Sequence, residues 1–155
     1  MSGKILIVDS VATNRIVLKA KVLAAQYDVE TCANCIEAAA AIADQMPDLL
    51  LINLSDPTED RHKFCNTLRG NPNTHGIPIL SVGTADTARS RFAALDAGAD
   101  DVLPRPVSDV LLLARIRSLL RRRNVAHDLQ LRDGTGNALG FDEDAAPRVN
   151  PARIS

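Results

Sequence analysis

The sequence predicts an α/β fold in which helices cover both faces of a parallel sheet of five strands. Short apolar runs of strand length alternate with segments of helical period. Hydrophobic residues make up 46% of the chain but aromatic residues only 3%, so the core must be built from aliphatic side chains. At 155 residues the chain suits one domain with a single core. Such alternation is typical of a doubly wound sheet, which binds ligands at the carboxyl ends of its strands.

The first and third predicted strands are the most apolar. Residues 4–9 and 49–53 are almost continuously hydrophobic, as expected for strands that are buried on both faces of a sheet. The other three runs are shorter or more mixed in composition. The five predicted strands are residues 4–9, 28–32, 49–53, 77–82 and 101–103.

Helix boundaries are indicated by capping and stop signals. Asn34 has the side chain of an N-cap for the second helix, and Pro47 stops that helix. Gly98 is expected to end the fourth helix. One side of the first helix carries Ile16, Ala20, Leu23 and Ala24. The predicted helices are residues 13–25, 35–45, 61–69, 87–97 and 108–132.

The composition changes near residue 133, where Gly and Pro interrupt a polar sequence. We therefore expect a domain over residues 1–123 and a continuation of its last helix over residues 124–132. Residues 133–155 are interpreted as a linker or disordered tail that leads to a further domain.

The charge balance argues against nucleic acid and membrane partners. Eighteen basic and 19 acidic residues give a net charge of −1, without a general attraction to polyanions. The three arginines at 121–123 lie late in a helix, where cations suit the helix dipole. No apolar stretch approaches the ~20 residues of a membrane span, and no signal peptide is recognised. We expect a cytoplasmic protein.

Three cysteines raise two alternatives to ordinary thiols. Cys32 and Cys35 have the spacing of a redox pair or of half a zinc site. A zinc site would need further ligands, from Cys65 and His62, which is a weak assembly. We favour reduced thiols, in line with the expected compartment.

Several segments together resemble the receiver domain of response regulators, over about residues 3 to 132. The likeness is greatest to the first receiver of PleD-type regulators, which carry a GGDEF diguanylate cyclase output. It implies a CheY-like, flavodoxin-like sheet with strand order 2-1-3-4-5, and no enzymatic activity in these residues. The segments that carry it are Ile5 to Asp9, Pro47 to Leu49, Ile77-Pro78, Ala97 to Asp101, Arg105-Pro106 and Leu112 to Leu120.

The family's chemistry requires a metal site and a phosphoryl site at the carboxyl edge of the sheet. Two carboxylates after the first strand and an acceptor aspartate hold Mg²⁺. A hydroxyl after the fourth strand and a lysine after the fifth bind the phosphoryl oxygens. An aromatic residue on the fifth strand changes position on activation. In this chain the corresponding residues are Asp9 and Ser10, Asn53, Gly83, Arg105 and Val102.

Only Asp9 keeps the side chain that this chemistry requires. The amide of Asn53 cannot form an acyl phosphate, and Gly83 offers no hydroxyl unless Thr84 shifts register to replace it. One carboxylate opposite the guanidinium of Arg105 should hold Mg²⁺ weakly or not at all. The resemblance therefore implies a receiver without a phosphorylation switch and without a cofactor. An alternative is a working receiver in which Asp56, otherwise a solvated loop acid, accepts the phosphoryl group.

The resemblance also implies partners. Receivers pair through the fourth helix, fifth strand and fifth helix, so we expect a homodimer or a contact with another receiver; a histidine kinase is a further partner. The Arg105–Pro106 bond is expected to be cis. A third alternative, from another class, is a small-ligand-binding or Cys32/Cys35 redox protein. The charged residues of the expected pairing face are Arg89, Arg91, Asp96, Asp100, Asp101, Arg115 and Arg117.

Overall fold

The computed structural model describes residues 3–84 and 86–138 of the chain. It divides into two compact units, residues 1–123 and 124–155. The strands are β1 (Lys4–Val8), β2 (Asp28–Cys32), β3 (Leu49–Ile52), β4 (Ile79–Thr84) and β5 (Asp101–Pro104). The helices are α1 (Ala12–Ala24), α2 (Cys35–Asp44), α3 (Arg61–Gly70), α4 (Ala88–Ala97) and α5 (Asp109–Ala138).

The five strands form one sheet in the order β2-β1-β3-β4-β5, with every neighbouring pair parallel. This confirms the predicted fold class and strand order. The chain reverses its direction of winding between β1 and β3, whose last ladder pair is Val8 with Ile52. A doubly wound sheet forms its binding crevice beyond this point. Asp9 and Asn53, which follow these two strands, are therefore placed at the crevice.

Alternate residues of each strand enter two separate aliphatic layers, because successive side chains point to opposite faces. On β1, Leu6 and Val8 pack with residues of α2, α3 and α4. Ile5 and Ile7 pack with residues of α1 and α5. All four side chains are at most 1% exposed. The sheet is thus buried on both faces, which explains why β1 and β3 are almost continuously apolar.

The predicted caps are confirmed. Asn34 accepts a hydrogen bond from the Glu37 amide at 2.9 Å and begins α2. Gly98 ends α4 with φ of 124°, a left-handed conformation that glycine adopts without a Cβ clash. Two further caps escaped the sequence analysis: Asp60 begins α3, and Thr87 begins α4.

The side of α1 on which Ile16, Ala20, Leu23 and Ala24 recur in the sequence is not the buried side. Ile16 and Leu23 are 66% and 46% exposed, whereas Val22 is fully buried and Leu18 packs beside it. Apolar residues occupy more than one side of this helix, so its hydrophobic period does not specify one face. Packing against the sheet and α5 selects the side that carries Leu18 and Val22.

Three element boundaries also differ by two or more residues from those predicted. β4 begins at Ile79 rather than at Ile77, because Pro78 has no N–H to donate to the ladder, and it continues through Gly83. The last helix reaches Ala138 rather than Arg132. Glycine within a helix costs about 1 kcal/mol, so the glycines after residue 133 need not end it. The remainder of the predicted tail, residues 139–155, lies outside the described residues.

Within the described ranges, no helix is both long and apolar enough to span a bilayer.

Candidate functional site

The loops at the carboxyl edge of the sheet surround an open pocket of about 220 Å³. It brings together four of the predicted site residues, because parallel strands end at the same edge. These are Asp9, Asn53, Gly83 and Arg105. Helix α1 and the loop before α5 complete the pocket. Their residues, together with Val82, are Asn14, Val17, Leu18, Lys21 and Val107.

Asn53 faces the pocket with its amide nitrogen. Its Oδ1 accepts a hydrogen bond from the Ser55 backbone N–H at 2.9 Å, which assigns oxygen to the loop side. Its Nδ2 is directed toward Gly83 and lies 3.5 Å from the point that a Cβ there would occupy. The acceptor position therefore presents two N–H donors where the family's phosphoryl chemistry requires a nucleophilic oxygen.

Gly83 lies in a β-bulge rather than in a loop. The ladder between β4 and β5 changes register between Val82 and Thr84, and Gly83 has φ of 89°. An L-residue is strained in this conformation, so glycine suits the bulge. The backbone of Thr84 belongs to β4, but its side chain is outside the described part of the chain. Whether its hydroxyl replaces the missing one stays a prediction.

Arg105 follows β5 and extends over the same position. Its Nε lies 3.9 Å from the point that a Cβ of Gly83 would occupy. The guanidinium is exposed and has no hydrogen bond or ion pair with any described residue. The peptide bond between Arg105 and Pro106 is cis, as predicted.

Asp9, the retained carboxylate, is bonded to its own loop. It is 7% exposed, and its Oδ1 accepts from the Val11 amide at 2.8 Å. The side-chain nitrogen of Asn14 lies 3.3 and 3.4 Å from its two oxygens. Arg15 donates to the Asp9 carbonyl at 2.7 Å. These contacts hold the start of α1 at the crevice.

Asp56 is not the solvated loop acid expected from the sequence. Its side chain is only 7% exposed. It accepts hydrogen bonds from Ser10 Oγ at 2.5 Å and from the Thr58 hydroxyl and amide at 2.6 and 2.9 Å. Burial opposes its charge, but these bonds and the charge of Arg61 outweigh burial and lower the pKa of Asp56 to about 2. Ser10, at the position of the family's second metal-binding carboxylate, thus donates its hydroxyl hydrogen to Asp56.

Arg61 lies at the carboxyl edge of the sheet and was not predicted from the sequence as a site residue. It begins α3, is 1% exposed and donates from Nε to Glu59 at 2.9 Å. Its Nη1 contacts the carbonyl oxygens of Asn53 and Val8 at 3.2 and 3.4 Å. Its Nη2 forms an ion pair with Asp56 at 3.3 Å but lacks hydrogen-bond alignment. The available signal was a cluster of acids just before a single arginine, Asp56 to Arg61.

Glu59 extends this network to α2. It accepts from the backbone N–H of Cys35 at 3.0 and 3.1 Å. Although burial acts in the opposite direction, this bond and Arg61 lower the pKa of Glu59. The carboxylate therefore joins the first turn of α2 to that of α3.

The three cysteines are reduced, and their surroundings as a whole disfavour thiolates. Burial is the main cause at each: it raises the pKa of Cys32, that of Cys35 to about 12 with help from Glu59, and that of Cys65 to about 11. His62 contacts the Leu54 carbonyl through Nε2 at 3.1 Å. Among the described residues, no three His, Cys, Asp or Glu side chains are grouped as metal ligands.

The residues of the expected pairing face have unequal surroundings. Asp100 pairs with Arg69 at 2.8 Å and also accepts from the Ile79 amide, so it supports the fold. Asp101 pairs with Arg115 across β5 and α5 at 3.2 Å. Val102, at the aromatic switch position, is 8% exposed within the core. The exposed charged residues of this face are Arg89, Arg91, Asp96, Asp100, Arg115 and Arg117, and Arg91 pairs with Asp86.

Exposed apolar side chains on the same elements were not predicted as part of the face. Phe92 and Leu95 on α4 are 69% and 48% exposed, and their spacing places them on one side of the helix. Leu111 on α5 is 47% exposed and precedes Arg115 by one turn.

The response regulator receiver domain model matches residues 5–117. This chain belongs to that family. It is thus a receiver domain of two-component signalling. Receiver domains typically interact with histidine kinases and with other receiver domains.

Curated relatives agree with the family assignment. The chain is 35% identical over 150 residues to the response regulator PleD of Caulobacter vibrioides, covering 97% of this chain and 33% of that protein. It is 40% identical over 122 residues to the response regulator MprA of Mycobacterium tuberculosis, covering 79% of this chain and 52% of that protein. The chain therefore spans about a third and about half of these two relatives.

Solved structures agree on the fold. A two-component response regulator from Clostridium difficile is 29% identical and has a TM-score of 0.70, covering 78% of this chain and 98% of that one. The chemotaxis protein CheY4 of Vibrio cholerae, at 24% identity and a TM-score of 0.70, shares the fold over 77% of this chain and 99% of its own.

Proposed function

We propose that this receiver domain is not switched by phosphorylation and acts as a dimerisation or adaptor module of a PleD-type regulator in cyclic-di-GMP signalling. The observation that carries the proposal is the state of two residues at the carboxyl edge of the sheet. Asn53 presents an amide at the acceptor position, and Asp56, the neighbouring carboxylate, is already bonded by Ser10, Thr58 and Arg61. The proposal assigns no reaction to these residues, and a cyclase activity would belong to a GGDEF domain outside them.

The charges at the edge support weak or absent Mg²⁺ binding. Arg61 is paired with Asp56 and Glu59, and Arg105 places a second positive charge in the pocket that Asp9 lines. Mg²⁺ requires near-octahedral oxygen ligands and gives up its water reluctantly. Here Ser10 Oγ donates to Asp56, and Asp9 accepts from Asn14 and a backbone amide. A cation would have to displace these contacts as well as the guanidinium of Arg61.

The alternative of a working acceptor at Asp56 is opposed by the same contacts. An acyl phosphate forms by attack of a carboxylate oxygen, which must be free to approach phosphorus. Asp56 accepts at Oδ1 from Thr58, and its Oδ2 contacts Ser10 and Arg61. Phosphorylation there would break an ion pair with a buried guanidinium.

The pairing surface is proposed to combine charge with apolar contact. We define the α4–α5 surface by Arg91, Phe92, Leu95, Asp101 and Arg115. Exposed ion pairs contribute only ~0–1 kcal/mol each, so the charged residues mainly determine orientation. Phe92 and Leu95 supply the apolar area that a stable contact between two copies, or with another receiver, needs.

Sedimentation equilibrium with and without beryllofluoride and Mg²⁺ tests this function. We expect a monomer–dimer distribution that beryllofluoride does not change, because no acceptor carboxylate and metal site are available to hold it. The Phe92→Ser variant should lower the dimer fraction. Ile36→Ser is the matched control, since Ile36 is 83% exposed on α2, away from the α4–α5 surface.

Two further results decide between the alternatives. The Asn53→Asp variant should still fail to dimerise in response to beryllofluoride, because Ser10, Gly83, Arg105 and Arg61 remain. A saturable beryllofluoride response of the native chain that Asp56→Asn abolishes would establish the Asp56 alternative and refute the proposal.

A further inference from the structure

We propose that the pocket between Asn53, Gly83 and Arg105 binds a small aliphatic carboxylate without forming a covalent bond. This inference rests on the proposed function, since the pocket can serve a free anion only if it does not hold a phosphoryl group and its metal. It assigns a ligand class to the same edge of the sheet.

Two hydrogen-bond donors without acceptors converge in the pocket. The orientation of Asn53 is determined by its bond to Ser55, so both Nδ2 hydrogens are directed away from the loop. Arg105 carries five N–H groups and has no partner among the described residues. The Asn53 Nδ2 and Arg105 Nε lie 3.5 and 3.9 Å from one point above Gly83. That point is only one C–C bond length, about 1.5 Å, from Gly83 Cα, so a ligand oxygen would lie farther out in the pocket, where both side chains can donate to it.

Gly83 leaves this point empty. A Cβ would stand between the amide and the guanidinium, and glycine supplies none. The positive φ of the bulge disfavours the return of a side chain at this position. The backbone of β4 therefore keeps a side chain out of the gap between the two donors.

The charges around the pocket favour a monoanion. Arg105 has no ion-pair partner among the described residues, whereas Lys21 pairs with Asp109 at 2.7 Å. The Asp9 carboxylate also lines the pocket, and Val11 and Asn14 bond it. One ligand charge neutralises Arg105, and a second would be repelled by Asp9. A carboxylate carries one charge at neutral pH, whereas a phosphate monoester carries between one and a half and two.

The remaining wall of the pocket is aliphatic. Val17, Leu18, Val82 and Val107 line the pocket together with the polar groups. The volume of about 220 Å³ is below the ~300–1,000 Å³ of drug-sized sites, so the ligand must be small. A carboxylate with a chain of a few carbons fits both the donors and the wall.

Titration of the full chain with butyrate, acetate and inorganic phosphate tests the inference. Two-dimensional ¹H–¹⁵N NMR is recorded at constant ionic strength without Mg²⁺. We expect saturable shifts of the Asn53 side-chain NH₂ and of the Gly83 amide with butyrate. Acetate should bind more weakly, by roughly fourfold for each CH₂ that butyrate buries. Phosphate should bind more weakly than butyrate.

Two variants and one control locate the site. Arg105→Gln should weaken butyrate binding about tenfold or more, since it removes a charge-assisted hydrogen bond. Asn53→Asp should abolish it, because the amide donors become a second carboxylate. Arg121→Gln, an exposed arginine about twelve residues (~18 Å) along α5 from its start, should leave binding unchanged.

Three outcomes would overturn the inference: no saturable shift, equal butyrate affinity in the native chain and Arg105→Gln, or tighter binding of phosphate than of butyrate. Each is independent of the beryllofluoride measurement. If butyrate does not bind and the native chain also does not respond to beryllofluoride, only the carboxylate site is refuted. Saturable beryllofluoride binding refutes the proposed function.

Discussion

Two arginines flank Asn53, and they have opposite surroundings. Arg61, on the α3 side, is 1% exposed and contacts two carboxylates and two backbone carbonyls. Arg105, on the β5 side, is exposed and has no partner among the described residues. The same side chain is therefore used in two ways within one edge of the sheet.

The difference follows from the cost of removing a charge from water. A buried guanidinium must be paired and hydrogen-bonded, so Arg61 organises Asp56, Glu59 and the strand ends around itself. A solvated guanidinium carries no such penalty and can remain unpaired until a ligand arrives. Arg61 thus belongs to the fold, whereas Arg105 is available for binding.

Replacing each arginine in turn should give the largest difference in the free energy of unfolding. Arg61→Met leaves two carboxylates and two strand-end carbonyls without their cation, and we expect a loss of about 3–5 kcal/mol in the free energy of unfolding. Arg105→Met, the matched control, should change this free energy by less than about 0.5 kcal/mol. Urea unfolding followed by circular dichroism measures both. Similar losses of stability in the two variants would contradict the conclusion that Arg61 belongs to the fold and that Arg105 is available for binding.

Acid should destabilise the fold by protonating Asp56, the ion-pair partner of Arg61. The pKa of Asp56 is about 2 in the folded protein, below the ordinary value of 3.8. Its ionised form therefore stabilises the fold above about pH 4, and this contribution is lost as the pH falls toward 2. We expect Asp56→Asn to be less stable than the native chain by roughly 2 kcal/mol at pH 7, with a gap that narrows below pH 4.

Urea unfolding at several pH values between 7 and 3 checks this dependence. Asp60→Asn is a suitable control, because Asp60 is an exposed cap of α3 outside the Arg61 ion pairs. A gap between the native chain and Asp56→Asn that stays constant over the whole pH range would mean that the carboxylate is not held ionised by its partners.

A separate effect, on reactivity rather than on stability, is expected at the cysteines, where Glu59 connects Arg61 to α2. Burial and Glu59 raise the pKa of Cys35 to about 12. Its thiolate fraction at pH 8 should be lower than that of a free cysteine by about three orders of magnitude. Alkylation by iodoacetamide, followed by mass spectrometry, should be slow in the folded chain and fast in urea. Rapid formation of a Cys32–Cys35 disulfide under mild oxidant would instead support the redox alternative.

The sequence predicted those parts of the molecule that depend on local pattern. The continuous apolar runs of β1 and β3 indicated strands buried on both faces, and Asn34 indicated the start of α2 because capping needs only neighbouring residues. The buried side of α1 is not the side on which apolar residues recur in the sequence. Aliphatic residues surround much of that helix, and only contact with the sheet selects Leu18 and Val22.

The candidate site was predicted residue by residue but not in its contacts. Asp9, Asn53, Gly83 and Arg105 do meet at one pocket, because parallel strands end together. The burial of Arg61 and Asp56 could not be predicted from their polar loop. It depends on how that loop folds over the ends of β1 and β3, and charged residues in such a loop are ordinarily solvated.

The contact of Arg61 with the carbonyls of Val8 and Asn53 has a consequence for protein engineering. This guanidinium holds the ends of two neighbouring strands, at Val8 of their last ladder pair and at Asn53, one residue beyond that pair. A redesign that aims to introduce a phosphoacceptor has to begin with Arg61 and Asp56 together, before any change at position 53. Exchanging the pair for uncharged residues of similar volume would free the loop, and only then would a new aspartate have room for a metal beside it.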